Sequence, residues 1–166
     1  AIAGAGLSAL AKENPQAAMQ KAKELENEDS DNLRFVIMDL YTANGDDKNN
    51  DFFVKQKDNF GGFEAIGFIN NYGQFLKHCS KDETVLSGAA LLKTYTEKGK
   101  NAYVKYSAQK ALKDLMRMYQ DKEDELTGKL EEVKKQNGDV ASVSNQLTTV
   151  TATKNKLKEI YDAAKS

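Results

Sequence analysis

LKDLMRMYQDKEDELTGKLEEVKKQNGDVASVSNQLTTVTATKNKLKEIYDAA, residues 112–164, holds a single heptad register from end to end and governs the reading of the chain. Its a positions are Leu112, Tyr119, Leu126, Val133, Val140, Leu147, Lys154 and Tyr161, and its d positions Leu115, Lys122, Lys129, Gln136, Val143, Val150, Leu157 and Ala164. Twelve of these sixteen are apolar, against 40 % for the whole chain. A 3.5-residue repeat keeps one seam facing a partner helix, which buries apolar surface without a thick globular core. The stretch therefore points to assembly rather than chemistry. The candidate self-association seam is Leu112, Leu115, Tyr119, Leu126, Val133, Val140, Val143, Leu147, Val150, Leu157 and Tyr161.

The register crosses Asn137-Gly138-Asp139, and its weakest part is 122–136, where three successive d positions are polar and Gly128 intervenes. A turn has no reason to preserve heptad phase, so a continuous helix is favoured, with a hairpin at 137–139 as the alternative. Residues 15–43 supply a partner helix for part of it, since at ~1.5 Å per residue they are too short to cover all of it. The remainder, above all 140–161, is expected to meet another molecule.

Working outward, Asn14-Pro15 is a helix start, with Asn as cap and Pro at the first helical position. A helix with Ala18, Ala22, Leu25, Val36 and Leu40 on one spacing is expected from there to Asn44-Gly45, solvent-facing through the acidic stretch 24–31. DDKNND, 46–51, is expected to be a polar loop. Six of the seven phenylalanines then fall between Phe52 and Phe75, so a compact core is expected there, from Phe60, Phe63, Ile66, Phe68, Ile69, Tyr72 and Phe75. Ser80-Lys81-Asp82-Glu83 has the form of a capping box and opens a short helix closed by Gly99. The long C-terminal helix follows from about Asn101. The expected fold is all-α: residues 1–51 an N-terminal helical arm and polar loop, 52–99 an aromatic and glycine-rich central module, 100–166 a long heptad helix. The two terminal arms are expected to pair as a coiled coil.

Composition narrows the function. Charged residues make up 30 % and the net charge is −1, with Lys and Glu interleaved and no basic stripe on one segment, so no nucleic-acid partner is expected. No stretch approaches the ~20 apolar residues of a membrane span. AIAGAGLSALA at the start has no basic region ahead of it and does not read as an intact signal peptide. Cys79 is the sole cysteine, which excludes an internal disulfide. His78-Cys79 is the sole His–Cys pair, and adjacent helical residues point about a hundred degrees apart, a poor geometry for nucleophile and base. Gly4-x-Gly6-x-x-Ala9 mimics a dinucleotide fingerprint without a preceding strand. The oxygen-rich 44–51 segment lacks the EF-hand order. No catalytic residue, cofactor or metal is expected, and an enzyme or ligand carrier using the Phe-lined 52–75 segment would have only Glu64 and His78 to start from.

The chain resembles the translocation-filament proteins of type III secretion systems, the EspA-like family. The resemblance rests on MQKAKELENEDSDNLRFVIMDLYTANGDDK (19–48), similar to a charged first helix ahead of a Gly-Asp-type loop, on EAIGFINNYG (64–73), and on ALKDLM (111–116), which opens a terminal helix of the family's length. The family carries a strongly hydrophobic stretch near its N-terminus where this chain has AIAGAGLSALA. The resemblance implies a bacterial protein, secreted or at the cell surface, that polymerises through its helical arms into a filament extending the needle. Its implied partners are other copies of itself, a dedicated secretion chaperone, and needle or translocator proteins. The alternative is a monomeric helical-bundle binding module, such as a secretion tip protein or surface adhesin.

Overall fold

The computed structural model describes residues 2–165. They form eight α-helices: α1 (Ile2–Glu13), α2 (Pro15–Leu25), α3 (Asp31–Asn44), α4 (Asn50–Gln56), α5 (Glu64–His78), α6 (Asp82–Thr94), α7 (Ala102–Lys135) and α8 (Val140–Lys165). A 3-10 turn at Asp47–Asn49 leads into α4. There is no strand among the described residues, so the chain is all-α. It divides into two compact units, residues 1–84 and 85–166, with the boundary in the first turn of α6.

In the first unit the opening small-residue stretch is helical from Ile2, with Ala1 outside the described residues. Ala and Leu are strong helix formers, and Leu7 is buried. Pro15 ends this helix, because the residue before a proline is driven out of the α region: Asn14 sits at φ −148° and ψ 88°. Its side chain accepts from Ala17 N–H at 3.1 Å and caps α2.

The single helix expected between residues 15 and 43 is instead two. Residues 24–31 are rich in Asn, Asp and Ser, whose side chains bind nearby backbone and favour helix ends over interiors. Ser30 caps α3 by accepting from Leu33 N–H at 3.3 Å. Arg34 reaches back to Asp29 at 2.9 Å and to Asp31. Gly45 closes α3 in the left-handed region, φ 58°, its N–H on Tyr41 O at 2.9 Å. A Cβ there would stand 2.5 Å from His78 Cβ, so glycine is required for space as well as for φ. The expected polar loop at 46–51 is the 3-10 turn running into α4.

The core of this unit is aromatic. Phe53 is fully buried, with ring centroids 4.5 Å from Phe75, 5.2 Å from Tyr72, 6.1 Å from Phe52 and 6.4 Å from Phe68. Phe60, Phe68, Ile69, Tyr72 and Phe75 are buried as expected, joined by Leu33, Ile37, Met38 and Tyr41 of α3. Phe63 corrects the expectation: it is 67 % exposed, because it sits on the Gly61-Gly62 turn ahead of α5 rather than on the periodic face. Ile66 is half-buried. The glycines do not interrupt α5, and Gly67 admits the Phe35 ring, whose Cε1 would lie 3.0 Å from a Cβ at that position.

In the second unit Asn101 caps α7 through Tyr103 N–H at 2.7 Å. The continuous C-terminal helix is not what forms. Asn137 takes φ 55°, its N–H bonds Lys134 O at 3.3 Å, and Gly138 N–H bonds Val133 O at 2.9 Å. This is a Schellman ending with asparagine in the left-handed position. Asp139 then accepts from Ser142 N–H at 3.4 Å and starts α8. The chain reverses, and α8 packs antiparallel along α7.

Candidate functional site

The α7–α8 hairpin contains every residue of the expected seam, and the structure sorts them into two groups. Near the hairpin base Leu112, Leu115, Tyr119 and Leu157 are buried, as are Val104, Ala108 and Ala164, and beside the turn Val143 is buried as well. Towards the tip Leu126, Val133, Val140, Leu147 and Val150 are only partly covered, as is Tyr161 near the C-terminal end. The expectation that 140–161 waits for another molecule is corrected to this extent: its first partner is α7 of the same chain.

Register explains the polar d positions. On α8 the a and d positions Val140, Val143, Leu147, Val150, Lys154, Leu157, Tyr161 and Ala164 are all covered at least in part, and the g-position Thr153 is buried beside them. On the outer half of α7 they move to a and e: Tyr119, Glu123, Leu126, Leu130 and Val133. Lys122, Lys129 and Gln136 thereby turn to solvent, and Leu130, which the a/d reading leaves out, joins the stripe. The signal was present in the sequence as a 4-3-4-3 spacing from Tyr119, masked by an equally regular a/d series on α8.

One polar lock crosses the two helices. Glu123 accepts from Thr151 Oγ1 at 2.6 Å and from Lys154 Nζ at 2.9 Å. The Glu123 and Lys154 side chains are 17 % and 18 % exposed, so the pair is largely shielded. Hydrogen bonds from Thr151 and Lys154, with the lysine charge beside them, hold the Glu123 carboxyl below its ordinary pKa against the effect of burial. Further down, Gln109 Nε2 donates to Ala164 O at 3.1 Å. These bonds fix which residues face each other.

Charge is less evenly interleaved than the sequence reading has it. Residues 97–118 hold six Lys or Arg and two acids, while 24–31 hold five acids and no base. Lys110, Lys113 and Arg117 line a shallow 250 Å³ concavity of the α7–α8 hairpin with Tyr106, Gln109, Asp114 and Tyr161.

The residues with chemical potential in the first unit are placed apart or occupied. His78 is exposed and Cys79 buried, so the pair diverges. Burial, with the Asp47 and Asp46 charges, pushes the Cys79 thiol up to about 12, and Sγ donates to Phe75 O at 3.4 Å. Glu64 and His78 open and close α5, about 20 Å apart at ~1.5 Å per residue. The Gly4–Gly6–Ala9 pattern lies inside α1. Asp47 is fully engaged: it accepts from Ser80 N–H at 2.8 Å, Ser80 Oγ at 3.0 Å and Lys81 N–H at 3.1 Å. Ser80 thus turns its hydroxyl on a carboxylate 33 residues away. Burial works to raise the Asp47 pKa, but these bonds and one from Thr84 prevail and hold it at about 2. Among the described residues no group of three or more His, Cys, Asp or Glu side chains is placed to hold a metal, and no helix is long and apolar enough to cross a membrane.

Comparison with protein-family models, with curated proteins and with solved structures found no match.

Proposed function

We propose that the protein is a non-enzymatic structural subunit that self-associates through its C-terminal hairpin, in a filament of the secreted type III kind that its sequence resembles. The observation that carries this reading is the half-covered apolar stripe Leu126, Leu130, Val133, Val140, Leu147 and Val150 on the outer part of the hairpin. Two helices alone cannot close such a stripe. Two hairpins laid together make a four-helix arrangement that does, and apolar burial of this kind drives most protein association. The pairing of N-terminal and C-terminal arms, with residues 52–99 as the module between them, belongs to this proposed assembly and rests on the family resemblance. So do a chaperone masking the C-terminal helices, needle or translocator partners, and a place outside the bacterial cell.

The test is light scattering over a concentration series, with negative-stain microscopy of the same samples. Mass rising with concentration, or filaments, is the expected outcome. A constant 18.4 kDa at every concentration overturns the reading. In that case the monomeric binding module takes its place, a tip protein or adhesin. One observation favours that second reading: α8 already covers the base of the α7 seam, so part of the stripe is used within the chain.

A further inference from the structure

A second face of α7 has the chemistry of a docking site, and the chain itself contains a complement to it. Tyr103, Tyr106, Lys110, Lys113 and Arg117 follow a 3-4-3-4 spacing, which at about 100° per residue places them within one narrow stripe of the helix. Tyr103 is 66 % exposed and Tyr106 65 %. The Lys110 side chain is 63 % exposed and pairs with Asp114 at 3.5 Å. A row of cations flanked by uncovered aromatic rings is suited to an acidic, structured partner. The cations supply attraction and the rings supply rigid contact area.

The turn between α2 and α3 is such a partner. Glu24, Glu26, Glu28, Asp29 and Asp31 lie within eight residues without an intervening base. The Asp29 side chain is 98 % exposed and Glu24 66 %, although each is paired with a cation of its own chain, Arg34 at 2.9 Å and Lys21 at 3.2 Å. The turn is held in shape by Arg34 and by the Tyr41 hydroxyl, which donates to Glu26 at 2.6 Å. The acidic group is therefore presented on a fixed frame rather than on a mobile tail.

We propose that the Tyr106–Lys110–Lys113–Arg117 stripe of one copy receives the acidic 24–31 turn of a second copy. The two surfaces are different, so each copy offers one of each to its neighbours. A net charge of −1 assembled from a basic patch and an acidic turn fits this arrangement. The proposal rests on the self-association reading and adds a contact separate from the apolar stripe of the hairpin tip.

Charge reversal tests it, with sedimentation velocity as the readout and circular dichroism as the check on folding. K113E/R117E leaves the Lys110–Asp114 pair intact, and E24K/E28K leaves Arg34 and Glu26 intact. Each variant alone is expected to associate at least ~10-fold more weakly than wild type, and wild-type association is expected to fall by a similar factor between ~50 and ~500 mM salt as screening shortens. An equimolar mixture of the two variants is expected to recover association, because each then meets its complement on the other. The fourfold variant in one chain is expected to recover it alone. Wild-type association that neither reversal weakens overturns this contact and leaves the hairpin stripe as the interface. Weakening without recovery in the mixture also overturns it. A wild type that stays monomeric throughout overturns both this proposal and the reading beneath it.

Discussion

Asn137 is the residue on which the hairpin turns. It is the one non-glycine residue in the left-handed region among the described residues, and asparagine enters that region at lower cost than most side chains. Asn137→Ala is expected to destabilise the hairpin by about 1–2 kcal/mol, and Asn137→Gly to be neutral or slightly stabilising. Thermal denaturation followed by circular dichroism reads both. Asp47 acts at the same scale. Its pKa is about 2 in the folded chain against an ordinary 3.8. A carboxyl depressed on folding contributes stability that is complete above about pH 4 and is lost as pH falls towards 2. After allowance for solvent, that contribution is about 1–2 kcal/mol. Asp47→Asn should lower stability by that amount at neutral pH while flattening its fall between pH 4 and 2. Equal acid sensitivity in the two proteins would remove Asp47 from the account.

At the scale of elements, Phe53 joins α4 to α5. It is a seven-residue helix's contribution to a core built mainly by others, and its ring meets four neighbours. Phe53→Ala is expected to cost about 3–5 kcal/mol, enough to leave the first unit largely unfolded by denaturant titration. The density of phenylalanine locates this core, but the periodic reading takes in Phe63 and leaves out Phe52 and Phe53. Phe63 was placed inside by extending the α5 spacing one residue too far. Phe52 and Phe53 escape that reading because a seven-residue helix is too short to display a period. The same limit hid the break after Leu25, where the apolar spacing continues and only the accumulation of Asn, Asp and Ser signals an end. In the hairpin, heptad phase is preserved through a turn, so periodicity could not distinguish rod from hairpin. The distinguishing signal was the left-handed preference of Asn137 followed by Asp139. Glu123→Gln tests the polar lock between α7 and α8. Its pKa is depressed, so its contribution is present above the ordinary glutamate range and fades as pH falls below it. The substitution is expected to cost about 1–2 kcal/mol at pH 7 and progressively less as pH falls below the ordinary glutamate range.

For the whole molecule, the hairpin tip separates assembly from folding. Leu147→Asp with Val150→Asp places two charges on the partly covered stripe, while Leu112, Leu115 and Leu157 keep the base closed. Loss of two apolar side chains from an interface at ~1.5 kcal/mol or more each corresponds to association weaker by about two orders of magnitude. The helical signal should be largely retained. Assembly at wild-type concentration by this variant would show that subunits meet elsewhere.

The grading of burial along the hairpin also sets an order of events. Contacts beside the turn join residues close in sequence and cost little loop entropy, yet apart from Val143 they are less buried than those at the base. The Gln109–Ala164 contact spans 55 residues and lies at the well-covered end. Zipping therefore starts where the structure is weakest and finishes where it is strongest. Substitutions at the turn should slow folding, whereas Leu157→Ala should chiefly hasten unfolding. A chain emerging from synthesis would have its turn made first and its Gln109–Ala164 contact closed last.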